Sequence, residues 1–248
     1  MRRNALIRGA LPVLLACVFA QTVWAGGRGS EDERRGEYAY YRGEHVRSIA
    51  LYEEAMRRRG WRTFWPVYMI GLNYCALGEW SSCLAYSREA IELNPRNGRP
   101  YGNLGQALIE TGRLDEAIEW LQKGIEADAA HEALHNNLGV AYMMKGEYAR
   151  SVEHFQNAIY WNEDDPLAYR NLITAFARMG AHEEAILVCR EAVRQGVADA
   201  HLDAQLAYFL KQHGLPHPAP PADLSRGKGA VDLMTPRTAP LYDPPPVP

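Results

Sequence analysis

The string His131-Glu132-Ala133-Leu134-His135 is the place in this chain where side chains stand at a spacing suited to chemistry. Two histidines four residues apart lie one helical turn apart, close enough to share a zinc ion. The glutamate between them would serve as the general base of a metallopeptidase. Such a centre also needs a third protein ligand and an open coordination position, and the sequence marks no third ligand. Cys75, Cys83 and Cys189 are too few for a disulfide framework to explain the fold. Cys75 and Cys83 flank Gly78 at similar distances, so a bridge across that turn is open to them if the backbones approach within about 7 Å. Cys189 takes a slot that Leu121 and Phe155 fill elsewhere and is expected buried and unpaired. There is no Gly-Lys-Ser/Thr phosphate loop, no G-x-S-x-G elbow and no G-x-G-x-x-G turn. Adjacent acids such as Glu183-Glu184 and Asp164-Asp165 fit solvated caps and turns. No catalytic residue, cofactor or metal ligand is assigned, and a protein that is not an enzyme is expected.

The elements that would carry these residues emerge when the sequence is slid along itself by 34 residues. One column then reads Gly78, Gly112, Gly146, Gly180, Gly214, and another Gly71, Gly105, Gly139, Ile173, Ala207. The second is preceded by Ile70, Leu104, Leu138, Leu172 and Leu206 and followed, three residues on, by Tyr74, Leu108, Tyr142, Phe176 and Leu210. Beyond each turn glycine come small residues, Cys83, Ala117, Ser151 and Ala185, then seven further on Ala90, Gly124, Ala158 and Ala192. Apolar and small residues three and four apart predict helices, and no run alternates as a strand would. Each unit is a helical hairpin around a glycine turn. Small residues let the two helices approach, and the large ones fill the space against the next hairpin, so stacking is obligatory.

This pattern resembles the tetratricopeptide repeat family, through Tyr101-Gly102-Asn103-Leu104-Gly105 to Leu108, Gly112, Ala117 and Leu121, and again through Leu138-Gly139 to Tyr142, Gly146 and Phe155. Ala90-Ile91-Glu92-Leu93-Asn94-Pro95 resembles the end of such a repeat. The resemblance implies an all-α, right-handed superhelical solenoid of about five hairpins plus a C-terminal capping helix. Its units are 29–63 (degenerate, with one extra residue near 57–62), 64–97, 98–131, 132–165 and 166–199, and the cap is 200–213. Within this frame His135 shares a packing column with Tyr101 and Tyr169, and His131 falls in the turn between hairpins with Asn97 and Asp165. The zinc motif therefore straddles a helix start, and a structural role for His135 is expected.

The resemblance further implies a concave surface lined by the first helix of each hairpin, with the residue two before the glycine column pointing into it. Here that file is Met69, Asn103, Asn137 and Asn171. An amide carries donors and an acceptor, so the file can grip the backbone of an extended peptide; equally, it can tie neighbouring repeats together. Around it the groove is expected to hold Trp65, Tyr68 and Leu72 at one end, Arg99 and Gln106, then Asn136, Val140, Met143 and Met144, and Arg170, Thr174 and Arg178 at the other. It is aromatic at one end and basic at the other. Aromatic and Arg side chains dominate binding hot spots. The chaperone-tail clamp of some members of the family needs Lys and Asn in the first hairpin, where this chain has Tyr68 and Leu72, which argues against a chaperone C-terminus.

At the N-terminus Arg2, Arg3 and Arg8 precede an apolar run over residues 10–20, followed by Val23-Trp24-Ala25 and Gly26-Gly27. That is the layout of a signal peptide of residues 1–25, cut near Ala25, with a periplasmic or secreted product. Leu14-Leu15-Ala16-Cys17 offers the alternative of a lipid anchor at Cys17. Cleavage removes three arginines and no acids, which takes the net charge from −3 to −6 and disfavours nucleic acid as partner. No other segment is apolar enough to span a membrane. Residues 214–248 hold 10 prolines in 35 residues without periodicity, the composition of a disordered tail. The function expected is an exported scaffold that binds a partner protein or extended peptide, in envelope assembly or secretion. The alternatives are an outer-membrane lipoprotein of pilotin type and, in another class, a zinc metallopeptidase.

Overall fold

The computed structural model describes residues 31–197 and 200–212. The expected signal peptide (residues 1–25), Cys17 and the proline-rich residues 214–248 lie outside the described residues. Among the described residues eleven helices follow one another: α1 (Glu31–Tyr41), α2 (His45–Arg59), α3 (Phe64–Ala76), α4 (Trp80–Leu93), α5 (Arg99–Glu110), α6 (Leu114–Ala127), α7 (Glu132–Met144), α8 (Tyr148–Trp161), α9 (Pro166–Met179), α10 (His182–Gln195) and α11 (Ala200–Gln212). Each packs on the next to form five antiparallel hairpins, with α11 closing the stack against α10.

The turns are made by the glycine column. Gly78 has φ 73°, and Gly112, Gly146 and Gly180 lie within a few degrees of it, a backbone conformation that disfavours any Cβ. The reversal is closed when Gly78 N–H donates to the Cys75 carbonyl (3.0 Å) and Glu79 N–H to that of Tyr74 (2.9 Å). Close approach of the paired helices rests on the small columns. Cys83, Ala117, Ser151 and Ala185 are fully buried, and a Cβ on Gly105 would stand 2.4 Å from Leu121 Cδ2.

The first hairpin departs from the others. Helix α1 is rich in charge, and its place is fixed by ion pairs to α2, Asp32 with Arg58 and Glu33 with Arg59, each at 2.7 Å. Gly36 continues the glycine column in a 35-residue register, since a Cβ there would meet the Tyr52 ring at 2.9 Å. Buried polar contacts then bind this hairpin to the second: Asn73 Nδ2 donates to Ser48 Oγ and to the Met69 carbonyl, and Ser48 Oγ donates to the Gly36 carbonyl.

First helices of successive hairpins also touch each other, α1 with α3, α3 with α5, α5 with α7 and α7 with α9, whereas second helices stand further apart. Bringing one row together and splaying the other bends the stack, so α1, α3, α5, α7 and α9 line its inner side.

Candidate functional site: the concave face

Aromatic side chains gather at the N-terminal end of the inner side. Helix α3 begins Phe64-Trp65-Pro66-Val67-Tyr68, and the Tyr68 ring stacks on Phe64 (centroids 5.9 Å) and leans on Trp65 (5.6 Å). Tyr68 is largely buried, and Trp65 is half-buried. Burial pushes the Tyr68 phenol up to about 12, while the Arg99 guanidinium of α5 pulls the other way. Arg99 acts in the same sense on Tyr41 of α1, whose phenol is raised first by burial and then by Glu37. Three successive inner helices thus contribute to one aromatic cluster with an exposed cation at its edge.

Glu37 and Tyr41 are functional candidates that the sequence reading missed. They stand 35 residues before Leu72 and Ala76, in the columns that hold Thr174 and Arg178 four repeats after them. The signal was the pair Gly36 and Gly43, which mark the register of the first hairpin. Burial also raises the Glu37 carboxyl above its ordinary range.

The amide file divides into two kinds. Asn137 Nδ2 donates to the Gly102 carbonyl at 3.2 Å, and Asn171 Nδ2 donates to Asn136 Oδ1 at 2.8 Å. Both bonds run between neighbouring repeats, so these amides tie the stack together. Asn103 differs: its Nδ2 is buried without a hydrogen-bond partner, and the column residue one repeat earlier is Met69. A buried donor left unpaired costs about 1–3 kcal/mol, which sets Asn103 apart from the two amides that tie repeats together. Further along, Met143 is half-buried against the core of the last hairpins, Arg170 is half-buried, and Arg178 is exposed in the last turn of α9. The structure joins Trp65, Tyr68 and Arg99 into one cluster and leaves Arg170 and Arg178 at the far end.

The histidines of the zinc-like string are placed by the repeat. His131 stands at the N-terminal boundary of α7, its Nδ1 3.9 Å from Glu132. His135 Nε2 donates to the Ala129 carbonyl at 3.1 Å, the bond that Tyr101 OH makes to Pro95 one repeat earlier, also at 3.1 Å. Imidazole thus substitutes for phenol in a packing slot. Among the described residues no three His, Cys, Asp or Glu side chains form a group able to hold a metal.

Cys75 and Cys83 form a disulfide across the α3–α4 turn, with Cα atoms 5.0 Å apart. The small residue at position 83 allows that approach, which is closer than helices usually pack. Cys189 is free and buried, and burial pushes its thiol up to about 12.

Family profiles described as "TPR repeat" and "Tetratricopeptide repeat" match residues 105–146, 86–119 and 132–165. No curated protein sequence matches the chain. Among solved structures it is similar to a thermophilic TPR protein of Thermus thermophilus, with 21% identity over 73% of this chain and 97% of the other and a TM-score of 0.61. It is also similar to pilF of Pseudomonas aeruginosa (17% identity, 74% and 83% covered, TM-score 0.64). A third likeness is to the APC/C hetero-tetramer Cut9–Hcn1 (17% identity, 71% of this chain and 35% of the other, TM-score 0.61).

Proposed function

Because this chain is a tetratricopeptide repeat protein, we propose that it is a non-catalytic scaffold that holds an extended segment of another protein along its concave face after export from the cytoplasm. The observation that carries this reading is the unpaired Asn103 amide, set between the aromatic–Arg99 cluster and the distal arginines. A segment lying along α3, α5, α7 and α9 would offer a backbone carbonyl to Asn103 Nδ2, an apolar or aromatic side chain to Trp65, Tyr68 and Tyr41, and acidic groups to Arg99 and Arg178. The amides of Asn137 and Asn171 would hold the repeats in register beneath it. A photocrosslinking residue placed at Gln106 on the inner side should capture the partner in vivo, and one at Glu119 should not. Capture from Glu119 alone would place binding on the other face.

Export is supported by the signal-like N-terminus and by the Cys75–Cys83 bridge, since disulfides persist in oxidising compartments. Envelope assembly or secretion is the setting proposed for such a scaffold. A second reading, an outer-membrane lipoprotein of pilotin type anchored at Cys17, draws on the lipobox-like Leu14-Leu15-Ala16-Cys17 and the likeness of fold to pilF. Metabolic labelling with a clickable palmitate separates the two: labelling lost in Cys17→Ser favours the lipoprotein.

A further inference from the structure

On the outer side, where the second helices splay, one cleft of about 470 Å³ opens between α6 and α8 over α7. The repeat explains its position. The ring slot of His135 holds Tyr101 and Tyr169 in the flanking repeats, and that of His154 holds Tyr86 and Trp120 in the two repeats before it. Imidazole is smaller than phenol or indole, so the two substitutions leave space that Tyr101 and Trp120 fill in the repeat before; the repeat after keeps Tyr169 and has Val188 in the other slot. The two imidazoles stack on each other (6.0 Å), and Tyr142 stacks on His154 (5.4 Å, 8°) with Arg150 over the Tyr142 ring.

This space is chemically unsatisfied. Both histidines are only 7% exposed, and the Nδ1 of each is buried without a partner. His135 spends its Nε2 proton on the Ala129 carbonyl, so its Nδ1 carries a lone pair with nothing to accept from. Burial is the main cause that lowers the pKa of both rings; at His135 the bond to the Ala129 carbonyl works against it, and at His154 the neighbouring His135 and Arg150 add to it. At the rim Glu126 and Glu153 have no ion pair among the described residues, whereas Arg150 is paired with Glu147. Ile125, Leu138 and Trp161 supply apolar wall.

The geometry points to this outer cleft as a second binding site, which takes an arginine side chain of a partner protein. The guanidinium is planar, carries five donors and tolerates stacking on an aromatic wall, so one group can answer two carboxylates and a buried imidazole lone pair while its stem lies on Ile125 and Leu138. A lysine ammonium, a compact and strongly hydrated charge, fits that divided set of acceptors less well. The site lies on the opposite side from the groove and needs none of its residues.

The test uses the tripeptide acetyl-Ala-Arg-Ala-amide and its citrulline and lysine counterparts on the mature protein, at concentrations up to about 10 mM, because a single side chain binds weakly. Binding is followed by the imidazole nitrogen signals of His135 and His154 in long-range ¹H–¹⁵N spectra. The arginine peptide is expected to shift both rings, citrulline and lysine peptides to bind at least about 10-fold more weakly, and Glu126→Gln/Glu153→Gln to reduce arginine binding by a similar factor. His154→Trp, which restores the indole of the preceding repeat, should fill the cleft and abolish the response with the helical signal retained. No response to the arginine peptide, equal binding of the citrulline peptide, or undiminished binding by the double glutamine variant would each overturn the assignment.

Discussion

Gly139 and Gly102 are both helical and buried, yet alanine should have opposite effects at the two positions. A Cβ at residue 139 would stand 2.6 Å from Phe155 Cε1 and 2.7 Å from Cδ1, about 1 Å inside normal carbon–carbon contact. Phe155 is fully buried and its ring is stiff, so the clash must part α7 from α8. Such overpacking costs about 1–3 kcal/mol, set against the 0.8–1.0 kcal/mol or so that alanine gains over glycine in a helix. At residue 102 the nearest atom is Leu134 Cδ2 at 3.8 Å, an ordinary contact, so the helix gain acts alone. Gly102→Ala should therefore stabilise by about 0.8–1.0 kcal/mol and Gly139→Ala should be neutral or destabilising by up to about 2 kcal/mol. The difference between the variants is the cleaner quantity: the propensity term cancels, leaving the overpacking cost of about 1–3 kcal/mol. Urea denaturation followed by circular dichroism, with the disulfide intact and m-values compared, measures it. Equal stability of the two variants would refute the account of the glycine column as a helix-contact device.

The remaining expectations concern protons, the disulfide and the amide file. His154 is held neutral, its pKa lowered from 6.5 to about 4 by burial, then His135 and Arg150; between those values the unfolded chain binds the extra proton, so its contribution of about 3 kcal/mol is complete above pH 6.5, falls as pH drops and is gone near pH 4, with His135 acting in the same direction. Denaturation midpoints across that range should flatten in His154→Phe, and an unchanged slope would assign the loss to other groups. Replacing Cys75 and Cys83 by serine should remove about 2–3 kcal/mol of loop-closure stabilisation and raise hydrogen exchange first in α3 and α4, whereas uniform exchange along the stack would contradict a local role. Asn137→Ala should lower stability by about 0.5–1.5 kcal/mol and spare partner binding, while Asn103→Ala should do the reverse, as thermal melts and affinity of the crosslinked partner would show.

The hairpins were legible in the sequence because the same steric demands recur every 34 residues. Gly78, Gly112, Gly146 and Gly180 each need positive φ, and Ala117, Ser151 and Ala185 each need to be small, so four independent copies report one geometry. The first hairpin was faint for a physical reason. Helix α1 is held by Asp32–Arg58 and Glu33–Arg59 rather than by an apolar stripe, and ion pairs leave no periodic trace. The division within the amide file was also invisible, because Asn103, Asn137 and Asn171 are the same residue in the same column. What separates them is the carbonyl each can reach across the repeat boundary, a distance that depends on how the hairpins stack. The outer cleft was missed since His135 was weighed as a metal ligand or a packing residue, and space is a property of the pair His135 and His154 together.

A repeat array turns function into a question of exceptions. A column that obeys the consensus is explained by packing, so it says little about a partner. Among the places where this chain departs from its own columns are Met69 for asparagine, the cysteine pair 75 and 83, and the two imidazoles of one repeat, His135 and His154. Two of these leave a consequence in the structure, a covalent clamp on the aromatic hairpin and a cleft with buried acceptors, and the repeat after Met69 carries the unpaired Asn103 amide. The clamp links two of these to binding. It fixes α3 against α4, and α3 carries Trp65 and Tyr68, so the aromatic end of the groove is the part of the array least free to splay. A rigid anchor at that end limits the side-chain and backbone ordering that binding costs, and rigid aromatic anchors are where binding energy concentrates. On the function proposed above, the groove is read from its clamped end, and a partner segment would engage Tyr68 and Arg99 first with the distal arginines setting its direction.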